Sequence, residues 1–324
     1  MGRFCLAATR MLLLMLIAAG AAAEQPYPSK PIRFVTAYAA GGSTTVVARL
    51  VGQKLTESWG QPVLVDNRPG GNTMVGHEAV AKSAPDGYTI MLSGSNLVLV
   101  PLLLKAPYDP IRDFAPVATI DKFEFMLLVH PSVPVRNLKE FIAYAKARPG
   151  QLNYATPGAG GGQHLVHEQL NMIAGIKTQH VPYKGAVQAL TDLMGGQVQL
   201  YFSNVITAVP HVKTGKLKAL ATTGDRRIAA LPDVPTFGEA GLDGFSKAGG
   251  FQCILAPAGT PKAIVNKLSA EVAKFLAQPE FQEKLTALGL EPFVSTPEQL
   301  VALLKEGLET NAKIIKSANI QFEN

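Results

Sequence analysis

The chain has 324 residues, of which 47% are hydrophobic, so it is long enough to form two lobes of ordinary domain size. Its formal net charge is +6, but the basic residues are scattered, with no basic run and no interleaving of basic and aromatic residues. This pattern argues against nucleic acid as a partner.

The first 23 residues have the features of a secretory signal peptide. Arg3 and Arg10 flank a short polar start, an apolar core spans residues 11–17, and small residues precede an expected cleavage site after Ala23. The apolar core is shorter than the roughly 20 residues of a membrane-spanning helix, and Cys5 lies on the wrong side of it for a lipoprotein. We therefore expect a protein exported to the bacterial periplasm, with a mature net charge of +4 because both arginines leave with the peptide.

The first strand of the mature chain ends in a glycine-containing turn that opens a helix. Ile32, Phe34 and Val35 are apolar and favour a strand, and apolar residues recur at helical spacing from Val46 to Leu55. Between them, Gly41 and Gly42 allow a sharp turn, and the serine or threonine that follows is placed to cap the helix. The helix N-terminus can hold a carboxylate or phosphate without lysine or arginine. The turn matches neither a P-loop nor a dinucleotide fingerprint, and the structural alternative is glycine used for geometry alone.

The same arrangement recurs, because three further strands end in short polar or glycine-rich segments at residues 93–96, 156–164 and 203–204. Repeated strand, loop and helix predict mostly parallel sheets, in which ligands bind beyond the carboxyl ends of the strands. None of the four strand-end loops contains lysine or arginine, and only His164 can carry a positive charge. A charge-assisted hydrogen bond contributes about 1.5–3 kcal/mol, whereas micromolar binding requires about 8 kcal/mol. Loops from both lobes must therefore take part, which implies closure about a hinge.

Two stretches are predicted to carry the chain between the lobes. In the first, apolar strands at residues 116–120 and 125–129 are separated by the polar dipeptide Asp121-Lys122. The second is the β-rich run of residues 249–256, which contains the only cysteine of the mature chain, Cys253. A disulfide within the chain is therefore excluded, and a buried, unreactive thiol is expected. Two crossovers place a cleft between two α/β lobes.

The mature chain also carries a set of short motifs in a characteristic order. They are Tyr27-Pro28-Ser29-Lys30-Pro31, Asp66-Asn67-Arg68-Pro69-Gly70, Ala84-Pro85-Asp86-Gly87-Tyr88-Thr89, His180-Val181-Pro182-Tyr183-Lys184-Gly185, Leu193-Met194-Gly195-Gly196-Gln197-Val198, Leu231-Pro232-Asp233-Val234-Pro235-Thr236 and Ala256-Pro257-Ala258-Gly259-Thr260-Pro261. Each is modest alone, but the set is specific and covers almost the whole mature chain. The chain thus resembles the extracytoplasmic solute receptors of tripartite tricarboxylate transporters, often called the Bug family.

The resemblance implies a type II periplasmic binding-protein fold, in which two α/β lobes are joined by a two-strand hinge with the ligand cleft between them. Residues 24–123 and 250–324 would form lobe 1, and residues 124–249 would form lobe 2. The resemblance implies a receptor rather than an enzyme, with no catalytic residue, metal or cofactor. Its partners would be a small carboxylate and membrane transporter subunits, and we expect a monomer.

In that family, the loop after the first strand and the equivalent of the Ser93 loop hold a ligand carboxylate, and loops of the second lobe face them. The ligand-contacting residues implied by the resemblance are Tyr38, Ala40, Gly41, Gly42, Ser43, Thr44, Ser93, Gly94, Ser95, Asn96, Thr156, Gly158, Gly162, Gln163, His164, Ser203 and Asn204. The chain departs from the family at residues 39–40, where proline is usual, and at Phe251, where tryptophan is frequent. Ser203 stands where aspartate is frequent, which disfavours an amino-acid ligand.

Several alternatives stay open at this point. The ligand is expected to be a di- or tricarboxylate or an aromatic carboxylate, on which Tyr38, Phe251 or Phe202 is placed to stack. Core packing is the favoured role of Phe202. The alternative function is a periplasmic enzyme or a sensor component on the same fold, although the sequence contains no nucleophile elbow. His164 and His167 lie at i and i+3 of one predicted helix, which fits a metal site, but no third ligand is evident. Capping or ligand contact by His164 and packing by His167 are favoured.

Overall fold

The computed structural model describes residues 27–245 and 249–317, so the predicted signal peptide lies outside the described residues. Within these residues the chain forms ten strands and ten α-helices. The strands are β1 (Ile32–Thr36), β2 (Val63–Asn67), β3 (Thr89–Gly94), β4 (Phe114–Val129), β5 (Asn153–Thr156), β6 (Gln179–Pro182), β7 (Leu200–Asn204), β8 (Lys218–Thr222), β9 (Gly249–Pro257) and β10 (Glu291–Pro292). The helices are α1 (Ser43–Trp59), α2 (Met74–Ala81), α3 (Asn96–Leu103), α4 (Leu138–Lys146), α5 (Gly162–Ala174), α6 (Ala186–Met194), α7 (Val205–Lys213), α8 (Lys262–Leu276), α9 (Pro279–Ala287) and α10 (Pro297–Ser317).

The strands follow the order β2-β1-β3-β9-β4-β7-β5-β6, with β8 and β10 also paired to β4. In the first half of this path, β1 pairs in parallel with β2 and β3, and β9 runs antiparallel to β3. In the second half, β5 pairs in parallel with β6 and β7, and β4 runs antiparallel to β7 and β8. Parallel strands predicted from the alternation of strand and helix are therefore present in each half, but antiparallel pairing with β4 and β9 makes the sheet mixed rather than mostly parallel.

β4 is one strand of 16 residues that belongs to both halves. It pairs with β9 as far as Glu124 and with β7 from Phe125 onward. The prediction of two strands separated by Asp121-Lys122 is therefore wrong. The polar pair does not end the strand, because Asp121 and Lys122 keep cross-strand partners on both β9 and β10, and two register shifts absorb the irregularity.

Helices cover both faces of the first half of the sheet. Helices α1, α8 and α9 cover one face, where Phe34, Leu55 and Phe275 are buried in one core. Helices α2, α3 and α10 cover the other face, with Met91 and Leu300 in its core. Strands covered on both faces are largely apolar, and Ile32, Phe34 and Val35 of β1 are fully buried.

The second half has the same construction with separate cores. Phe141 of α4 and Leu170 of α5 are buried on one face, and Leu193 of α6 and Ala208 of α7 are buried on the other. The molecule is therefore a pair of α/β lobes joined by β4 and β9. No helix in the described parts of the chain has the length and apolar character needed to cross a membrane.

Candidate functional site

The four predicted strand ends meet where the lobes face each other. The Asn204 Nδ2 group donates a hydrogen bond to Ser43 Oγ at 3.0 Å, which joins the fourth strand end to the first. The Gly162 amide donates to Asn96 Oδ1 at 3.3 Å, which joins the third strand end to the second. Both bonds cross between the lobes, so the cleft is closed and all four segments line it.

The first strand end is a tight turn followed by the 17-residue helix α1. Gly41 has φ +92°, a conformation that side chains other than glycine rarely adopt. Gly42 is the N-cap residue, and no side chain caps the helix. The prediction that Ser43 or Thr44 caps this helix is therefore wrong, and the Ser43 oxygen instead accepts the bond from the opposite lobe.

Neighbouring side chains hold this turn in place. The Asn67 Nδ2 group donates to the Tyr38 carbonyl at 2.9 Å and to Thr45 Oγ1 at 2.8 Å. The Thr45 hydroxyl in turn donates to the Ala39 carbonyl at 3.2 Å. Ala40 is exposed and Tyr38 is half-buried. The turn is thus organised before a ligand arrives, which lowers the entropic cost of binding.

At the second strand end, Ser93 turns away from the cleft. Its Oγ lies 2.6 Å from His77 Nε2, and both residues have 0% exposure. Burial lowers the pKa of His77 to about 3, although the backbone of Thr73 acts in the opposite direction. A serine and a neutral histidine at this distance suit nucleophilic catalysis, but no substrate reaches a pair without exposed surface. Ser95 remains half-buried, and its Oγ accepts a bond from the Phe251 amide at 3.4 Å.

The third strand end is a glycine loop, residues 157–162, supported by two histidines. The Thr156 hydroxyl donates to a carbonyl within the loop at 2.9 Å and lies 2.6 Å from His180 Nε2. His164 Nδ1 accepts a bond from the Gly160 amide at 3.1 Å. Gln163, in the first turn of α5, is half-buried. The side chains of Thr156 and His164 therefore shape the loop from beneath.

Four aromatic rings stack below this loop. The His164 and His180 rings are 3.8 Å apart, His180 is 5.0 Å from Tyr154, and Tyr154 is 3.6 Å from His167. The Tyr154 hydroxyl donates to Glu168. Burial lowers the pKa of His164 to about 3 and of His180 to about 4, and it also lowers the pKa of His167.

These rings are therefore neutral at pH 7, and the expectation that His164 can supply a positive charge near neutrality is wrong. His167 is fully buried and packs on Tyr154. Within the described ranges, no group of three or more histidine, cysteine or acidic residues is arranged to hold a metal ion.

At the fourth strand end only one of the two predicted side chains faces the other lobe. Ser203 has 0% exposure, and its Oγ lies 2.6 Å from Thr207 Oγ1. Asn204 is half-buried and reaches Ser43. Ser203 thus resembles Ser93 and Thr156, because all three hydroxyls at the strand ends are buried and bonded within their own lobe.

Two aromatic rings that the sequence analysis did not select adjoin the cleft loops. Phe123 and Phe125 of β4 pack edge to face with centroids 5.6 Å apart. A Cβ on Gly162 would lie 3.3 Å from the Phe125 ring, and a Cβ on Gly250 would lie 2.3 Å from the Phe123 ring. Gly94 is also confined, since its Cβ would lie 3.3 Å from the Tyr38 hydroxyl. Glycine at these positions lets the loops and strands approach the rings closely.

The turn over residues 70–73 was also missed. The Asn72 side chain lies against Gly158 of the glycine loop, because a Cβ on Gly158 would be 2.7 Å from Asn72 Oδ1. The only local signal was a pair of glycines before an asparagine in a polar turn, which is common in surface loops. Among the aromatic candidates, Phe202 is fully buried in the lobe 2 core, and Phe251 packs against a lobe 1 core.

The arrangement offers neutral hydrogen-bonding groups from both lobes. Ser43, Ser95, Asn96 and Asn204 present hydroxyl and carboxamide groups, and the N-termini of α1 and α5 add backbone dipoles. Such groups suit the binding of a small anion.

A sequence model of the tripartite tricarboxylate transporter family receptor matches residues 47–320. The chain belongs to this family. It is 33% identical over 300 residues to the protein BugT of Bordetella pertussis, covering 92% of each chain. Receptors of this family work with membrane transporter subunits, and the resemblance seen in the motifs is confirmed.

Solved structures of similar proteins share the fold of this receptor. Rpa4515 of R. palustris with adipate is 32% identical, has a TM-score of 0.88, and the match covers 91% of this chain and 99% of that one. MatC of Rhodopseudomonas palustris with bound malate is 32% identical, has a TM-score of 0.83, and the match covers 89% and 100%. The two-lobed type II periplasmic binding-protein fold expected from the sequence is confirmed.

Proposed function

We propose that this receptor captures a small carboxylate in the cleft between its lobes and delivers it to the membrane subunits of a tripartite transporter. The observation that carries the proposal is the meeting of the four strand ends through the bonds from Asn204 to Ser43 and from Gly162 to Asn96. Several neutral donors converge there, as is needed to hold an anion without a lysine or arginine.

An aliphatic dicarboxylate is the first ligand class to consider, because the similar structures contain adipate and malate. An aromatic carboxylate is the second, because the Phe123 and Phe125 rings adjoin the loops that would enclose it. An amino acid is disfavoured, since Ser203 is neutral and bonded within its own lobe, leaving no counter-charge there for an ammonium group.

The predicted contact residues keep two different roles in this proposal. The four strand-end hydroxyl and carboxamide groups at Ser43, Ser95, Asn96 and Asn204 contact the ligand directly. The buried side chains of Ser93, Thr156 and Ser203 fix the backbone that contacts it. We also propose lobes at residues 24–123 with 250–324 and at 124–249, export to the periplasm through residues 1–23, and a monomeric receptor without enzymatic activity.

Thermal unfolding of the mature protein against a panel of carboxylates tests this function. The sample is unfolded and refolded first, so that any ligand carried from the cell is removed. A ligand at 100 times its dissociation constant adds about 2.7 kcal/mol to the free energy of unfolding, which gives a clear rise in Tm. A shift with one class of carboxylate supports the proposal. If no dicarboxylate, tricarboxylate or aromatic carboxylate shifts the melt, the protein is an enzyme or sensor component instead.

Gly42→Ala and Gly42→Val locate the site. Gly42 has φ −80°, and a Cβ there would meet only the Ala39 carbonyl, at 3.8 Å, so the fold has room for the methyl group of alanine. We expect the ligand-free Tm to stay close to wild type and the affinity to fall with the size of the new side chain. Unchanged affinity of Gly42→Val for a ligand from the panel would place the carboxylate elsewhere.

A further inference from the structure

The turn over residues 70–73 has an unusual backbone. Four consecutive residues have positive φ: Gly70 at 128°, Gly71 at 52°, Asn72 at 51° and Thr73 at 77°. Asn72 and Thr73 are the only non-glycine residues with positive φ in the described parts of the chain. Asparagine tolerates this conformation, but the β-branched Thr73 is strained in it. Thr73 Oγ1 is also buried without a hydrogen-bond partner.

This strain positions Asn72 against the opposite lobe. Asn72 Oδ1 occupies the space that a side chain on Gly158 would need, at 2.7 Å from the Cβ position. At the other end of the same glycine loop, Asn96 accepts the Gly162 amide bond and lies 3.6 Å from the Cβ position of Gly161. Two asparagines of lobe 1 therefore hold both ends of the loop that would enclose the ligand.

The helix that follows the turn is anchored to both strand ends of lobe 1. Gly76 of α2 packs so closely on the first strand end that a Cβ would be 2.7 Å from Ala37 Cα. One turn on from Thr73, His77 is bonded to Ser93 at the second strand end. The place of Asn72 is thus fixed by the same strand ends that would hold the carboxylate.

We propose that the 70–73 turn is an interlobe latch, in which Asn72 seats against Gly158 only when the cleft is closed, so that Asn72 is a positioning residue for ligand capture. The proposal deepens the proposed function and rests on it for the ligand, but contact between the lobes is testable without one. Local strain in the turn is retained because the closed lobes need a side chain at this point.

The test is a double-mutant cycle on Asn72 and Gly158. Gly158→Ala places a methyl group against Asn72 Oδ1, and Asn72→Gly removes the side chain while suiting the positive φ. With a carboxylate from the panel, calorimetry is expected to show about tenfold weaker binding for Gly158→Ala and several-fold weaker binding for Asn72→Gly. In the Asn72→Gly background, Gly158→Ala is expected to weaken carboxylate binding little further. If Gly158→Ala reduces the affinity equally in both backgrounds, the latch is overturned.

Gly195→Ala is the control, because it makes the same change in the same lobe but outside the strand-end loops, where only an ordinary 3.5 Å contact is present, and it is expected to leave affinity close to wild type. Spin labels on cysteines at the exposed Arg49 and Lys139, one in each lobe, measure closure directly. The distance distribution is expected to lengthen or broaden in Asn72→Gly even without ligand. If wild type binds no carboxylate yet the distribution changes, the latch stands and the proposed function fails. An unchanged distribution overturns the latch.

Discussion

Asp121 provides the sharpest test of the physical chemistry of the hinge. It lies on β4 directly across from Gln252 of β9, has 0% exposure, and neither carboxyl oxygen has a hydrogen-bond partner. Burial raises the pKa of this carboxyl well above its ordinary value, and the nearby Gln252 amide offsets only part of the effect. The folded protein therefore holds Asp121 as a neutral acid over a range of pH in which an unfolded chain would ionise it.

The difference between the pKa of Asp121 in the folded and unfolded states determines how the free energy of unfolding changes with pH. Below the unfolded pKa of about 3.9, both states are protonated and Asp121 costs nothing. Above it, unfolding releases a proton, so the free energy of unfolding falls by about 1.4 kcal/mol for each pH unit until the pH reaches the pKa of the folded state. Asp121→Asn keeps the shape of the side chain and cannot ionise, so it removes this loss.

Urea unfolding of the ligand-free protein at a series of pH values measures the effect. The difference between Asp121→Asn and wild type is expected to grow in favour of the variant as the pH rises above about 4, while other titrating groups cancel. Asp66→Asn is a control of opposite sign, because hydrogen bonds from Arg68 and Arg33 lower the pKa of Asp66. That variant loses stability at neutral pH, by less than about 1 kcal/mol because the group is partly exposed, and the loss fades below about pH 4. If the free energies of unfolding of wild type and Asp121→Asn change in parallel with pH, the conclusion that Asp121 is a neutral, buried acid is refuted.

Three further outcomes follow from close contacts and burial. Gly76→Ala is expected to destabilise the protein by about 1–3 kcal/mol or more in urea unfolding, because the methyl group meets the Ala37 backbone at 2.7 Å. Gly52→Ala, also within a helix but with its nearest contact at 3.4 Å, is expected to be neutral or to stabilise by up to about 1 kcal/mol. Cys253 is fully buried and its pKa is raised, so a thiol reagent is expected to label it only in denaturant, and rapid labelling of the native protein would contradict this burial.

The sequence was sufficient to predict the elements that form by local rules. Apolar spacing predicted strand β1 from Ile32, Phe34 and Val35 and helix α1 from Val46 to Leu55, because both patterns depend on near neighbours. The break predicted at Asp121-Lys122 was wrong because it depends on residues that are distant in the sequence. Whether a polar pair ends a strand depends on what lies beside it, and β9 and β10 come from residues more than a hundred positions later.

In the site, too, the features that depend on neighbouring residues were predicted, and those that depend on the tertiary fold were not. The four strand ends were predicted because small residues after a strand have a local signature. The direction of each side chain was not, since Ser93 and Thr156 turn inward to His77 and His180, which the tertiary fold brings beside them. Ser203 turns instead to Thr207 in the helix that follows it. Asn72 was missed because its neighbour across the cleft belongs to the other lobe.

The neutrality of the cleft loops has a consequence for specificity. His164 and His180 have pKa values of about 3 and 4, and the bonds that close the lobes join hydroxyl, carboxamide and amide groups. The charge of a bound carboxylate must therefore be balanced by helix N-termini and hydrogen bonds, which act only over short distances. A second charged group on the ligand gains little from long-range attraction and must find its own donors within the closed cleft. Discrimination between carboxylates then depends on how far the lobes can close around each one. The contact between Asn72 and Gly158 sets the extent of that closure.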